Sequence, residues 1–291
     1  MKTVSFRRRY LLPLAALVVL TVSGAGAHAA SSHFPTRIVS LSPTATEDLF
    51  AVGAGKQVVA VDSYSTYPAN APRTKLSAYS PNAEAIAKYR PDLVVIASDM
   101  NHIVAQLGKL HIRVLIQPAA ANLNGVYAEI EQTGKVTGHV AGAKQVVTTM
   151  RRKVAALVRS VPRPTEPLSV YHELDQTYYS ATSHTFIGQM YSLLGLRNIA
   201  DKASSTSDYP QLSPEYIVAT NPDLIVLADT VCCGQTRATV SARPGWGTIK
   251  AVKTGEIVAV NDSIASEWGP RIVLFLKAVA SAVKTLENQS K

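Results

Sequence analysis

The sequence predicts an α/β protein: two Rossmann-like lobes with parallel sheets, joined by one long helix, with a ligand cleft between them. Three observations carry that prediction. Short β-branched runs alternate with helical patterns along the chain, which is the signature of parallel α/β architecture. Residues 84–97, EAIAKYRPDLVVIA, recur as EYIVATNPDLIVLA at 215–228, with seven of 14 positions identical; this is an internal repeat of one structural unit. Between the copies, residues 140–161 hold no Pro and keep apolar residues at helical spacing (Val146, Val147, Met150, Val154, Leu157, Val158, Val161). A helix of about 20 residues spans about 30 Å and would serve as a stiff connector.

The elements follow in order. Arg37–Leu41 reads as a strand. Thr44 and Glu47 have capping-box spacing, and Gly53 and Gly55 offer a helix stop. Val58–Val61 is a second strand; Leu93–Ala97 is a continuous apolar run of the kind buried in parallel sheets, and Val114–Ile116 is another. Asn82 and Ser213 stand two residues before Glu84 and Glu215 as helix N-caps, and Pro91 and Pro222 end both repeat helices. Pro162, Pro164 and Pro167 break the connector. Strands at Leu168–Tyr171, Leu224–Ala228 and Ile257–Val260 follow, with helices at Phe186–Leu194 and Pro270–Leu286.

The predicted organisation is a leader at 1–29, a first lobe at 30–137, a linking helix at 138–162 and a second lobe at 163–291. The leader has a basic start (Lys2, Arg7, Arg8, Arg9), an apolar run from Leu11 to Val22 and Ala27-His28-Ala29 as cleavage site, the three parts of a secretory signal peptide. The run falls short of the roughly 20 residues that span a bilayer. Removing the leader lowers the net charge from +9 to +5 and leaves dispersed Lys and Arg, which argues against nucleic-acid binding. No Cys adjoins the cleavage site, so the expectation is a soluble exported monomer without a lipid anchor. Whether export ends in a periplasm or outside the cell is left open.

Motifs of catalysis are missing. The sequence holds no G-x-S-x-G, H-E-x-x-H, P-loop or G-x-G-x-x-G. Lys253-Thr254-Gly255 and Ser281-x-x-Lys284 stand in reversed order relative to penicillin-recognising enzymes, and read as a turn and a helix face. The expectation is a binding protein with no resident cofactor. His102 and His172 fit no zinc spacing, so no metal site is assigned. Cys232 and Cys233 are adjacent; either a vicinal disulfide or a pair of thiols is open, and Trp246 reads as a core anchor.

Aromatic residues are the strongest ligand candidates. Tyr64 and Tyr67 flank a turn after a strand, Tyr79 and Tyr209 precede the two repeat helices, Tyr178 and Tyr179 follow the Leu168 strand, and Trp268 precedes Pro270. Tyr joins a large apolar face to a polar tip, which suits a flat, partly polar ligand, and ligands favour domain interfaces and the carboxyl ends of parallel strands. Glu84 and Glu215 each suit a helix's first turn; as a matched pair they also offer one acidic knob per lobe to a basic partner.

The segments SLSPTATEDLFAVGAG (40–55), SYSTYP (63–68), NAEAIAKYRPDLVV (82–95), YPQLSPEYIVATNPDLIV (209–226) and WGPRI (268–272) resemble a known family across nearly the whole mature chain. This is the family of bacterial ABC-transporter substrate-binding proteins whose two lobes are joined by a single long helix and which deliver vitamin B12, ferric siderophores, haem or metal ions. The resemblance is strongest to the members that bind vitamin B12. It implies a small-molecule ligand, a cobalt corrinoid or an iron chelate, in contact with Tyr64, Tyr79 and Tyr209; the vitamin B12 members carry tryptophan at the positions of Tyr79 and Tyr209. It adds Arg271, in WGPRI, to the ligand-binding candidates. It further implies docking on an ABC permease in the cytoplasmic membrane, with Glu84 and Glu215 binding arginines there.

Overall fold

The computed structural model describes Met1, residues 34–203 and residues 206–289; the leader segment expected at 1–29 lies outside them except for Met1. The first lobe runs β1 (Ile38–Leu41), α1 (Pro43–Ala51), β2 (Val58–Val61), α2 (Ala83–Ala87), β3 (Leu93–Ile96), α3 (Ile103–Lys109), β4 (Arg113–Ile116) and α4 (Leu123–Thr137). Next comes α5 (Val140–Ser160), a single uninterrupted helix that carries the apolar spacing described above. The second lobe runs β5 (Ser169–Glu173), α6 (Phe186–Leu193), β6 (Arg197–Asn198), α7 (Pro214–Thr220), β7 (Leu224–Leu227), α8 (Arg237–Ser241), α9 (Lys250–Thr254), β8 (Ile257–Ala259), α10 (Asp262–Ser266) and α11 (Ile272–Gln289).

Each lobe holds one four-stranded, all-parallel sheet, with strand orders β2-β1-β3-β4 and β6-β5-β7-β8. These orders are the same when strands are counted within each lobe, so the sequence repeat extends to topology. The central strands β1, β3, β5 and β7 are buried at every position, and β3 and β7 are accordingly continuous apolar runs, LVVI and LIVL. One apolar cluster extends from Ile38 and Leu49 of the first lobe through Val147, Met150 and Val154 of α5 to Phe275 and Val279 of α11. The connector is therefore packed into the core of both lobes.

The repeat has a structural cause at its aspartates. Asp92 accepts hydrogen bonds from the Thr36 and Arg37 amides and the Thr36 hydroxyl. Asp223 accepts from the amide and hydroxyl of Ser169 and pairs with Lys250. Each aspartate thus fastens the start of its lobe's first strand beside the start of the third. Asn82 and Ser213 cap α2 and α7 by accepting from the Ala85 and Tyr216 amides.

Two local expectations are corrected, the cap of α1 and the end of β5. Thr44 and Glu47 form no capping box: Ser42 is the N-cap, Pro43 fills the first helical position, and the Glu47 carboxylate turns to Arg271. Pro at that position needs no amide donor, and the cap lies two residues earlier, at Ser42. The strand starting near Leu168 continues to Glu173, so His172 lies inside β5 rather than beyond it. The short edge strand β6, with two residues, has no periodicity to reveal it. Lys253-Thr254-Gly255 is a helix end capped by left-handed Gly255, and Ser281 and Lys284 lie within α11.

Candidate functional site

The carboxyl ends of both sheets meet across the gap between the lobes. A hollow of about 400 Å³ there is lined by Ala120 after β4, Leu174 after β5, Phe186 at the start of α6, Tyr209, and Ser266 and Trp268 after β8. The ridge is stitched across the lobes where Gln189 of α6 donates to the Ala121 carbonyl at 2.8 Å.

Three first-lobe tyrosines are exposed near this edge. Tyr64 and Tyr79 are 58% and 69% exposed and pack edge to face, with ring centroids 5.4 Å apart. Two large apolar rings held in water without a core beneath them are the feature expected of a ligand-facing surface. Their loop is rigid from below. Asp62, buried at the end of β2, accepts from the Ser65 amide and hydroxyl. Ser65 continues through Thr46 to Ser40 in a buried hydroxyl chain. Burial raises the Asp62 carboxyl above its ordinary range against the opposing effect of the Ser65 hydrogen bonds, and its second oxygen has no hydrogen-bond partner among the described residues.

Tyr67 and Arg271 join the lobes. The Arg271 guanidinium lies 4.0 Å from the Tyr67 ring centroid. Its Nε donates to Glu47 Oε2 at 2.6 Å, its backbone amide donates to Glu47 Oε1 at 2.6 Å, and Nη2 donates to Glu267 at 3.0 Å. Glu47 sits on α1 of the first lobe and is almost fully buried. Gly269 leaves room beside it: a Cβ there would fall 3.0 Å from the Glu47 carboxyl carbon and crowd the carboxylate. Burial pushes Glu267 up to about 7, with Arg271 opposing. Arg271, a ligand candidate in the sequence, is thus engaged in an interlobe ion-pair latch. Glu47 and Glu267 escape sequence reasoning as ion-pair partners because Glu47 has the spacing of a cap partner and a carboxylate in a loop reads as solvated.

In the second lobe, Tyr209 is half exposed and lines the hollow with Trp268. Tyr178 is placed differently. Its ring packs 5.9 Å from Trp246, with Arg243 5.2 Å away, as part of the second lobe's own packing. Trp246 is fully buried, the core anchor its sequence context suggested. Arg243 donates two 2.6 Å bonds to Glu173, which is fully buried. Asp229, also buried at the end of β7, is pushed up by burial and by the Glu173 charge. His172 is pushed down to about 3 by burial and bonds Tyr191 at 2.6 Å, so it is a neutral core residue. His102 is exposed in a left-handed turn. Among the described residues no three His, Cys, Asp or Glu side chains gather in a metal-holding cluster. Glu84 and Glu215 are exposed at the same position of α2 and α7.

A two-lobed scaffold with aromatic rings at an interlobe hollow is the architecture of a class, proteins that hold small molecules between domains. The chain matches the periplasmic binding protein family over residues 38–263, and it belongs to that family. It is 35% identical to the cobalamin-binding protein of Halobacterium salinarum, over 85% of this chain and 69% of that one. It is 30% identical to an uncharacterised ABC transporter substrate-binding lipoprotein, YvrC, of Bacillus subtilis, over 86% of this chain and 80% of that one. Its fold is similar to that of the periplasmic haem-binding protein RhuT of Roseiflexus sp. RS-1 in apo form, with TM-score 0.75 and 25% identity, covering 86% of this chain and 98% of that one. No helix among the described residues is long and apolar enough to cross a membrane.

Proposed function

We propose that this protein is the exported substrate-binding component of an ABC importer. In this reading it acts as a monomer, captures cobalamin or a related corrinoid between its lobes, and presents it to a permease in the cytoplasmic membrane. The observation that carries the reading is the pairing of Tyr64 with Tyr79 on one lobe and Tyr209 with Trp268 on the other. A corrin is flat, apolar on its faces and fringed with amides, and aromatic rings from two lobes can cover both faces while tyrosine hydroxyls meet the fringe. The name of the Halobacterium relative supports the corrinoid. Arg271 and Tyr178 serve as positioning residues in this account, one holding Tyr67 and the lobes, the other supporting the second lobe. Glu84 and Glu215, one per lobe, are the docking contacts for basic residues of the permease. The lobes share one core with α5 and α11 and are latched at Arg271, so capture involves small lobe displacement.

Haem is the second reading. His184 and Tyr209 both stand at the hollow, and either could supply an axial ligand to iron. Calorimetric titration with cyanocobalamin, hemin and a ferric hydroxamate siderophore decides between them. The corrinoid reading expects saturable binding of cyanocobalamin, weakened by Tyr79→Ala and by Tyr209→Ala. Saturation by hemin alone, with a Soret shift lost in Tyr209→Phe or His184→Ala, would replace cobalamin by haem within the same class.

A further inference from the structure

Cys232 and Cys233 are joined as a vicinal disulfide in the loop that leaves the carboxyl end of β7. Strand β7 lies between β5 and β8, and the loops after those two strands contribute Leu174 and Trp268 to the interlobe hollow. In a parallel sheet all carboxyl ends share one edge, so the disulfide loop emerges on the ligand-facing rim. The loop is staked at both ends. The Asp262 carboxylate, at the start of α10, accepts from the Val231 amide at 2.9 Å, the Cys232 amide at 2.6 Å and the Thr230 hydroxyl at 3.2 Å. Gln235 donates to the Cys233 carbonyl and accepts from Arg243. The tip is nevertheless open: Val231 is 69% exposed and Cys232 is exposed. An apolar, covalently stiffened tip in water on that rim is not explained by core packing, because Val231, Cys232 and Cys233 belong to none of the lobe's hydrophobic clusters. The helix that Asp262 begins ends at Ser266, beside Glu267 of the latch and Trp268 of the hollow.

From this we infer that the Cys232–Cys233 loop is a ligand-contacting rim of the second lobe that works in its oxidised form. The inference rests on the capture of a corrinoid or iron chelate proposed above. Oxidation closes an S–S bond between neighbouring residues, and holding a contact loop in one shape lowers the ordering cost of binding. Reduction by a dithiol such as dithiothreitol breaks that bond: two electrons and two protons pass to the cysteines, leaving two thiols, while the reagent closes to its cyclic disulfide. An exported chain meets the oxidising surroundings in which the bond persists.

The test uses the whole mature protein in two measurements. Affinity for cyanocobalamin, hemin and a ferric hydroxamate siderophore is compared between wild type and the Cys232→Ser/Cys233→Ser variant, whose fold is checked by circular dichroism. The rate at which dithiothreitol reduces the wild-type disulfide, read by alkylation and mass spectrometry, is compared with and without the ligand that saturates. The inference expects affinity about tenfold weaker in the variant and reduction slowed severalfold by bound ligand. If ligand binds the variant equally well and leaves the reduction rate unchanged, the loop is no part of the site, while the capture reading stands. If none of the three ligands saturates the wild type, the capture reading itself fails and the inference with it. A variant that fails to fold leaves the protection measurement on the wild type to decide.

Discussion

The two lobes repeat a framework and differ in what they mount on it. Both have the same strand order, an N-capped repeat helix with an exposed glutamate, and an aspartate fastening two strands. At the carboxyl ends they part. The first lobe presents the exposed pair Tyr64 and Tyr79 over a buried hydroxyl chain. The second buries a charge cluster of Glu173, Arg243 and Asp229 under Tyr178 and Trp246, and carries the disulfide loop. Symmetry therefore lives in framework residues, whose chemistry is local to one lobe. On the proposed function the ligand-facing loops need no symmetry, because one asymmetric molecule would touch both.

The largest expected effect tests the symmetric feature. If the lobes dock as equals, Glu84→Arg and Glu215→Arg each weaken uptake by a similar factor, and together they abolish ligand delivery in cells while leaving ligand affinity in solution unchanged. Where docking buries such a charge pair, losing one partner costs about 2–5 kcal/mol, ample for that outcome. A strong defect from one glutamate alone would show that the docking surface belongs to one lobe.

The latch is next. Arg271→Ala leaves Glu47 buried without its cation, which costs about 3–5 kcal/mol, seen as a lower urea midpoint. Arg271→Met with Glu47→Gln should recover part of the loss, because the stranded charge is removed with its partner. Equal midpoints for wild type and Arg271→Ala would remove the latch from the account.

The fastening aspartates offer a direct lobe-to-lobe comparison. Asp223 serves Ser169 and Lys250, whereas Asp92 serves only Thr36 and Arg37. Asp223→Asn should therefore destabilise more than Asp92→Asn, by about 1–3 kcal/mol against about 1. Hydrogen bonds hold both carboxyls below their ordinary range, against opposing burial. Their contribution is present above the unfolded value near 3.8 and is lost as pH falls through the lower folded values. Stability of either Asn variant should fall less steeply than wild type in that acid range.

The smallest effect runs the opposite way. Glu267 is raised from 4.5 to about 7, so the folded state holds its proton more tightly. The stability it confers is complete below 4.5 and is lost as pH rises through about 7. Glu267→Gln should gain on wild type in thermal midpoint as pH rises across that window, by a few degrees. A difference independent of pH would contradict the assignment.

Much of this was legible in the sequence, for physical reasons. Buried parallel strands must be apolar on both faces, so Leu93–Ile96 and Leu224–Leu227 announce themselves. The connector shows because an amphipathic helix of 21 residues repeats its period many times. The repeat showed that Asp92 and Asp223 matter, though not that they fasten strands. The exposed tyrosines were found because their positions relative to strand ends and repeat helices are local. Long-range pairings were not: Glu47 and Arg271 are 224 residues apart, and no local pattern marks a carboxylate that will be buried. Tyr178 and Tyr209 look alike in sequence, each in a connection, one after a strand and the other before a helix. Only the packing of Trp246 separates the residue that supports the lobe from the one that lines the hollow.

The central claim is that one small molecule is held by both lobes at their facing carboxyl edges. Hydrogen–deuterium exchange of the mature protein, with and without saturating cyanocobalamin, tests it most directly. The account predicts slowed exchange in the segments around residues 63–68 and 77–80 of the first lobe and around 207–212, 230–235 and 266–269 of the second, with the backs of α5 and α11 unchanged. Protection confined to one lobe, or centred on the groove that Val52, Val146, Met150 and Leu274 line between α1, α5 and α11, would contradict it.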